Sequence, residues 1–305
     1  MTRQLVRGAV CGIVAASIWG GMYVVSDEVL KVIPPFTLLS LRLLLGVLVL
    51  GVVLGIQGKL ALPLRDVIKL MAVGVLGSGI SLGAQFVGTQ LSTGMNGAVI
   101  TSASPAFIVF FAWLILREPL TKVKIAAVVV ASIGVLIALD LSKADFSPET
   151  FDGNLWLTFA ALTWGAYSVL VRRVSANYPS LTITFYGLIG GLFVGIPLGI
   201  GELARPDAIT GAITPGVVLG VLYLGIVSTS IALFLWNLAF ALVEASVASL
   251  FFFAQPLVGV LLSVMLGQQL TMQIAMGGAL IVIGVLLSMW QPQAKAVSGT
   301  SIEAG

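Results

Sequence analysis

Ten apolar segments, each long enough to cross a bilayer, run along this chain, and the last five repeat the first five about 150 residues later. An odd number of crossings per repeat makes the two halves traverse the membrane in opposite directions. That is the sequence mark of an inverted-repeat architecture whose working site lies where the halves meet. The repeat shows residue by residue. Ala16, Trp19, Gly20 and Val24 recur as Ala161, Trp164, Gly165 and Val169, and Pro34 and Thr37 as Pro179 and Thr182, all at an offset of 145. Gly74, Ile80, Leu82, Ala103 and Pro105 recur as Gly225, Ile231, Leu233, Ala254 and Pro256, with the offset now 151. Leu120-Thr121 and Ile133–Leu136 follow as Leu270-Thr271 and Ile283–Leu286. The order is kept and the slips are small, so chance likeness between apolar stretches is a poor explanation.

A membrane helix needs about 17–25 apolar residues. The segments that meet this are 8–25, 36–56, 67–90, 94–116, 123–140, 153–173, 181–201, 216–241, 245–266 and 272–290. The expected fold is therefore an all-α integral membrane protein of ten transmembrane helices in two inverted five-helix repeats. The first repeat takes residues 1–140 and the second 153–290, joined by a polar linker at 141–152 and followed by a disordered tail at 291–305. Composition agrees: 9% of the residues are charged, against about 25% in a soluble domain. The lipid bilayer is thus the expected partner, and a net charge of +3, scattered along the chain, offers no nucleic-acid surface. Oligomeric state is not legible, and a monomer is compatible with the pattern.

Orientation follows from Lys and Arg, which accumulate in cytoplasmic loops. With the N-terminus inside, eleven basic residues fall in inside loops (Arg3, Arg7, Lys59, Arg65, Lys69, Arg117, Lys122, Lys124, Arg172, Arg173, Lys295) and three outside (Lys31, Lys143, Arg205). Both termini are expected in the cytoplasm of a bacterial cell, the chain lying in the inner membrane with the 141–152 linker outside. Duplicated loops have diverged as this requires: the stretch 57–69 carries three basic residues and its counterpart 202–215 carries one.

Several chemistries are excluded. The chain has no histidine and one cysteine, Cys11, which removes imidazole bases, nucleophile pairs with histidine, thiolate metal sites and internal disulfides. No glycine-rich phosphate loop with its lysine is present. No catalytic residue, metal or cofactor is expected.

What remains is a set of polar and aromatic side chains within the spans. Arg42 is the one charge deep in a span, eight residues after Pro34 and so about 12 Å into the membrane. An intramembrane charge must face protein or water, and two roles compete: tying down helix carbonyls, or anchoring a substrate carboxylate. Pro105 and Pro256 each remove a backbone donor at matching places in the fourth and ninth spans, where kinks are expected. Thr101 and Ser104 precede one, Gln255 the other. These polar groups either line a midplane site or bond their own helix carbonyls. Trp19 and Tyr23 share a face of the first span, as do Trp164 and Tyr167 of the sixth, while Gln85, Trp236 and Asn237 fall in aligned regions of the third and eighth. Trp and Tyr also favour membrane interfaces, so cavity and interface readings stay open for them. Glycines along the third and seventh spans suit close helix packing or hinging. Asp27 and Glu28 read as a solvated interfacial pair, and Asn96 as a helix cap or a cavity residue.

The stretch GAVITSASPAFIVFFAWLILREPL, Gly97 to Leu120, with Pro105 followed thirteen residues later by Glu118, resembles the EamA-type branch of the drug/metabolite transporter superfamily. The Trp19-Gly20 pair, Pro34-Pro35 with Arg42, and ALTWGAYSVLVRR at 161–173 add to the resemblance, which spans about 8–290. It implies two five-helix repeats around a central cavity, and movement of a small-molecule substrate such as an exported amino acid or related compound. Gln268 and Gln269 stand where the family pattern expects a Glu. The resulting expectation is a secondary transporter working by alternating access. A membrane-embedded prenyl or acyl transferase and a passive channel or sensor are the alternatives. With no Asp, Glu or His in the deep interior, and Glu118 and Glu244 at turns as hydrated charges or helix-end contacts, a facilitator or exchanger is expected rather than a proton-driven pump.

Overall fold

The computed structural model describes residues 3–138, 144–258 and 272–289. Lys143, Gln268, Gln269 and the 291–305 tail lie outside them. Among the described residues every regular element is helical. The first repeat comprises α1 (Arg3–Leu30), α2 (Pro35–Ile56), α3 (Leu64–Leu91), α4 (Gly94–Leu116) and α5 (Lys122–Ala138). The second comprises α6 (Pro148–Val174), α7 (Ser180–Leu203), α8 (Pro215–Leu242), α9 (Ala245–Val258) and α10 (Met272–Met289). Seven of these are long and apolar enough to cross a membrane. The last parts of the fifth and ninth expected spans fall outside the described residues.

Helix starts are written in proline and hydroxyl residues. Pro35 and Pro215 occupy the first turn of α2 and α8, where a missing N–H costs nothing. Thr93 and Thr214 cap α4 and α8, their hydroxyls accepting from Asn96 N at 3.0 Å and Val217 N at 3.3 Å. Large apolar side chains such as Leu48, Val52, Phe193 and Leu219 point outward, exposed, which suits hydrocarbon rather than water.

The halves interlock with the symmetry of the sequence repeat. Helix α1 lies against α8 as α6 lies against α3, and α4 packs on α6 as α9 packs on α1. The mates α2 and α7 pair with each other, as do α5 and α10. Where these contacts converge, five helices lose regular geometry. Helix α1 breaks at Gly21. Helices α3 and α8 widen to π geometry over Val75–Ser81 and Tyr223–Ile231, at matching repeat positions. Helix α4 is interrupted at Ser102-Ala103, just before Pro105, and α9 tightens to 3-10 geometry over Ser249–Phe253, just before Pro256. Non-helical backbone is tolerated at membrane depth only where protein or a polar cavity satisfies it, so these breaks point to a candidate site.

Candidate functional site

A cavity of about 30 Å³ lies between the halves. Helices α1 and α2 supply Trp19, Met22, Tyr23 and Arg42; α3 and α4 supply Ser81, Leu82, Gln85, Thr101 and Ser104. From the other half, α6 gives Ala160, Ala161 and Trp164, α8 gives Ser228 and Leu233, and α9 gives Phe252 and Gln255. Eight side chains singled out in the sequence thus surround one space: Trp19, Tyr23, Arg42, Gln85, Thr101, Ser104, Trp164 and Gln255. Hydrogen bonds tie the irregular backbone together around it. The Trp19 indole donates to Ser228 O at 2.9 Å, satisfying a carbonyl of the π segment. Ser81 Oγ donates to Ala160 O at 2.8 Å, again across the halves. The Tyr23 and Thr101 hydroxyls meet at 2.5 Å, and Thr101 Oγ1 also donates to Gly97 O at 2.6 Å. Thr101 therefore does both things that the sequence left open.

Arg42 is 1% exposed. Its Nε donates to Thr229 Oγ1 at 2.7 Å, its Nη2 reaches Ser228 Oγ at 3.5 Å, and its guanidinium stands over the Phe86 ring at 5.2 Å. These partners are hydroxyls and a ring face rather than helix carbonyls. Thr229 in turn donates to Leu224 O, five residues back, at 2.6 Å, so the π segment of α8 presents its hydroxyl to the arginine. Nη1 has no hydrogen-bond partner.

Tyr167, Trp236 and Asn237 do not line the cavity. They form the layer behind it: Trp236 packs on Trp19 with ring centroids 5.3 Å apart, Tyr167 OH donates to Asn237 Oδ1 at 3.2 Å, and Asn237 Nδ2 donates to Thr184 Oγ1 at 2.9 Å. All three are fully buried, which sets aside the interface reading for them. Trp19 and Trp164, edge to face at 5.4 Å, are buried too. Asn96 is neither cap nor cavity residue. Thr93 holds the cap, and the Asn96 amide donates to Asn154 Oδ1 and accepts from Asp145 N at 2.9 Å, pinning the segment before α6. There the Ser147 N–H, bonded to Asp145 Oδ1 at 2.9 Å, holds the Asp145 carboxyl below its ordinary range. Glu28 pairs with Lys31, both exposed.

At the two ends of the molecule a carboxylate joins the halves. Beyond α4, Glu118 accepts from Ala245 N at 2.8 Å, Ser246 N at 3.0 Å and Ser246 Oγ at 2.5 Å, capping α9. At the opposite end, Glu202 of α7 accepts from Phe36 N at 3.1 Å and from Thr37 N and Oγ1 at 2.8 and 3.0 Å, capping α2. Sequence reasoning read Glu118 as a turn residue, either a hydrated charge or a helix-end contact, and overlooked Glu202; the second of those roles is the one it takes. It also missed Ser81, Ser228 and Thr229, although the Ser-Thr-Ser run at 228–230 within an apolar span was a visible signal.

The sequence pattern of the EamA-like transporter family matches residues 6–139 and again 152–290. The chain is 28% identical over 257 residues to Protein PecM of Dickeya dadantii, covering 84% of this chain and 82% of that one. It is 28% identical over 263 residues to the uncharacterized transporter YetK of Bacillus subtilis, covering 84% and 78%. A solved crystal structure superposes with a TM-score of 0.76 at 22% identity, covering 92% of this chain and 95% of that one. At that identity the likeness shows the fold.

Proposed function

This chain belongs to the EamA-like transporter family, and we propose that it is a secondary carrier that exports a small polar or amphipathic metabolite, such as an amino acid or related compound. The family is one of transporters, not of enzymes. One observation carries the mechanism. The cavity is walled by both repeats, Arg42, Gln85 and Ser104 from the first and Trp164, Ser228 and Gln255 from the second. Rocking one repeat against the other uncovers such a cavity to one face while covering it from the other, which is alternating access. The roles of Trp19, Tyr23 and Thr101 in binding, and of Pro105 and Pro256 as hinges of the lining helices, belong to this proposal. So does the placement of both termini in the cytoplasm of an inner membrane.

Cysteine labelling tests access and topology together, with Cys11 replaced. In intact cells an impermeant thiol reagent should label Asp207→Cys and spare Lys59→Cys, both positions being exposed in the fold. Ser104→Cys, in the cavity wall, should react with reagent from either face, each reaction slowed when the opposite face is held open. Labelling of Lys59→Cys in place of Asp207→Cys overturns the orientation, and one-sided reaction of Ser104→Cys overturns alternating access.

Coupling is proposed to be to the substrate's own gradient. Among the described residues lining the cavity there is no carboxylate or histidine to carry a proton. In proteoliposomes an imposed pH gradient should leave the accumulation of a substrate of fixed charge unchanged. Uphill accumulation driven by that gradient alone would refute this, and would point to the capping carboxylates.

A further inference from the structure

Two cations are buried in the described fold, and they are treated differently. Lys124, 1% exposed, is held by Glu244 at 2.8 Å and has Glu118 at 3.9 Å. Arg42, equally buried, has no carboxylate within ion-pair distance among the described residues. Two hydroxyls and a phenyl face orient its guanidinium, but they carry no charge to balance it. An unpaired cation at membrane depth costs several kcal/mol, and such a cost is retained where the missing charge arrives with a ligand.

The cavity wall says what else that ligand carries. Besides Arg42 Nη1, buried polar atoms without a partner are found on three further lining side chains: Gln85 Nε2 and Trp164 Nε1, both donors, and Gln255 Oε1, an acceptor. The remainder of the wall is aromatic and aliphatic, with Trp19, Leu82 and Phe252 prominent. We propose, resting on the carrier reading, that the transported molecule is a small monocarboxylate with an apolar or aromatic body. Its carboxylate sits against Arg42 with Gln85 beside it, its body against Trp19, Trp164 and Phe252, and a donor on the body meets Gln255. Charge counting sets the valence: one arginine and one carboxylate give a neutral loaded cavity. A phosphate, at about −1.5 to −2 near pH 7, leaves excess charge in the membrane interior, and an ammonium ion without an acid meets repulsion. The cavity of about 30 Å³ holds little more than one water molecule, so the body enters as the halves part.

The test is thermal unfolding of the purified full-length protein with four probes at matched ionic strength. These are 3-phenylpropionate, its neutral isostere 3-phenylpropanamide, phenethylammonium and inorganic phosphate. The carboxylate should raise the melting temperature by about 3 °C or more at saturation, and the other three by less than about 1 °C. Arg42→Gln should abolish the carboxylate effect and Arg42→Lys should keep part of it. Ser228→Asp sets a carboxylate beside Nη2, and should abolish the effect while raising the melting temperature without any probe. That gain shows the variant folded even if Arg42→Gln is not. Equal shifts from the amide or the amine, a shift from phosphate alone, no shift from the carboxylate, or retention in Ser228→Asp overturns the proposal. The labelling of Ser104→Cys separates the two readings. Two-sided access without a carboxylate shift leaves the carrier and removes the carboxylate; one-sided access with the shift does the reverse.

Discussion

Gly74→Ala and Gly190→Ala should each prevent stable assembly of the two halves, whereas Gly187→Ala should be tolerated. Helices α3 and α7 meet backbone to backbone. A Cβ on Gly74 would stand 2.0 Å from Gly187 O and 2.3 Å from Gly187 Cα, and one on Gly190 would stand 2.1 Å from Met71 O. No rotamer change relieves a clash with backbone, so the helices must separate along the contact. Overpacking in a core costs about 1–3 kcal/mol when side chains can move, and these two positions belong at or above the upper end. Lipid tails are as apolar as the interface, so close packing is the main force left to hold membrane helices together. The same contact contains its own control: a Cβ on Gly187 would lie 3.6 Å from Gly74 Cα, an ordinary distance. Gly201, with no neighbour within 4 Å of its Cβ position, should gain up to about 1 kcal/mol as alanine through helix propensity. Melting temperature and monodispersity in detergent measure all four. Wild-type behaviour of Gly74→Ala would show that α3 and α7 are not packed in this way, and would return these glycines to a hinging role.

The readability of this fold has an uneven physical basis. Hydrocarbon forces each crossing to be a long, apolar and largely helical stretch, so the spans stand out in the sequence. The duplication, seen in pairs such as Trp19 with Trp164 and Pro105 with Pro256, then gave the pairing of halves. Extended ends were harder to place. Helix α1 continues through Ser26, Asp27 and Glu28 to Leu30, because polar residues at the headgroup level do not stop a helix. Half of the cavity wall was legible because a buried Arg, Gln or Trp in a span is rare and costly enough to stand out. Ala160, Ala161 and Met22 were not, since small and apolar residues look alike whether they face lipid, a neighbour or a cavity. Tyr167, Trp236 and Asn237 show the converse. Their polarity singled them out as cavity or interface candidates, but one helical step turns them from the cavity to each other. No sequence spacing announces the π segments, which rotate Ser228 and Thr229 toward Arg42.

Removing the two capping carboxylates should free opposite faces of the molecule. Glu118 ends the first repeat's α4 and holds the first turn of α9; Glu202 ends the second repeat's α7 and holds the first turn of α2. Each carboxylate binds two backbone N–H groups and a hydroxyl at a helix N-terminus, where the dipole favours negative charge. Hydrogen bonds to a charged partner contribute about 1.5–3 kcal/mol each in favourable settings. Loss of either cap should therefore weaken the tie between halves by roughly 2–4 kcal/mol, after water takes over part of the exposed donors. Glu118 carries a further duty. A left-handed turn at Arg117, φ 57°, closes α4 and leads the chain directly into it, and its oxygen lies 3.9 Å from Lys124 Nζ. Its side chain is 12% exposed, so solvent screens this cap little. Glu118→Gln keeps one acceptor but turns an amide toward an N–H donor, and should retain only part of the tie. Hydrogen exchange gives the direct readout: the amides of Ala245 and Ser246 should exchange faster in Glu118→Ala, and those of Phe36 and Thr37 in Glu202→Ala. The functional readout is the side from which Ser104→Cys reacts. Glu118→Ala should favour reagent from the face that carries the α4–α5 turn, Glu202→Ala reagent from the other. If both variants expose the cysteine to the same face, the caps do not act as a pair of ties whose alternate release opens the cavity.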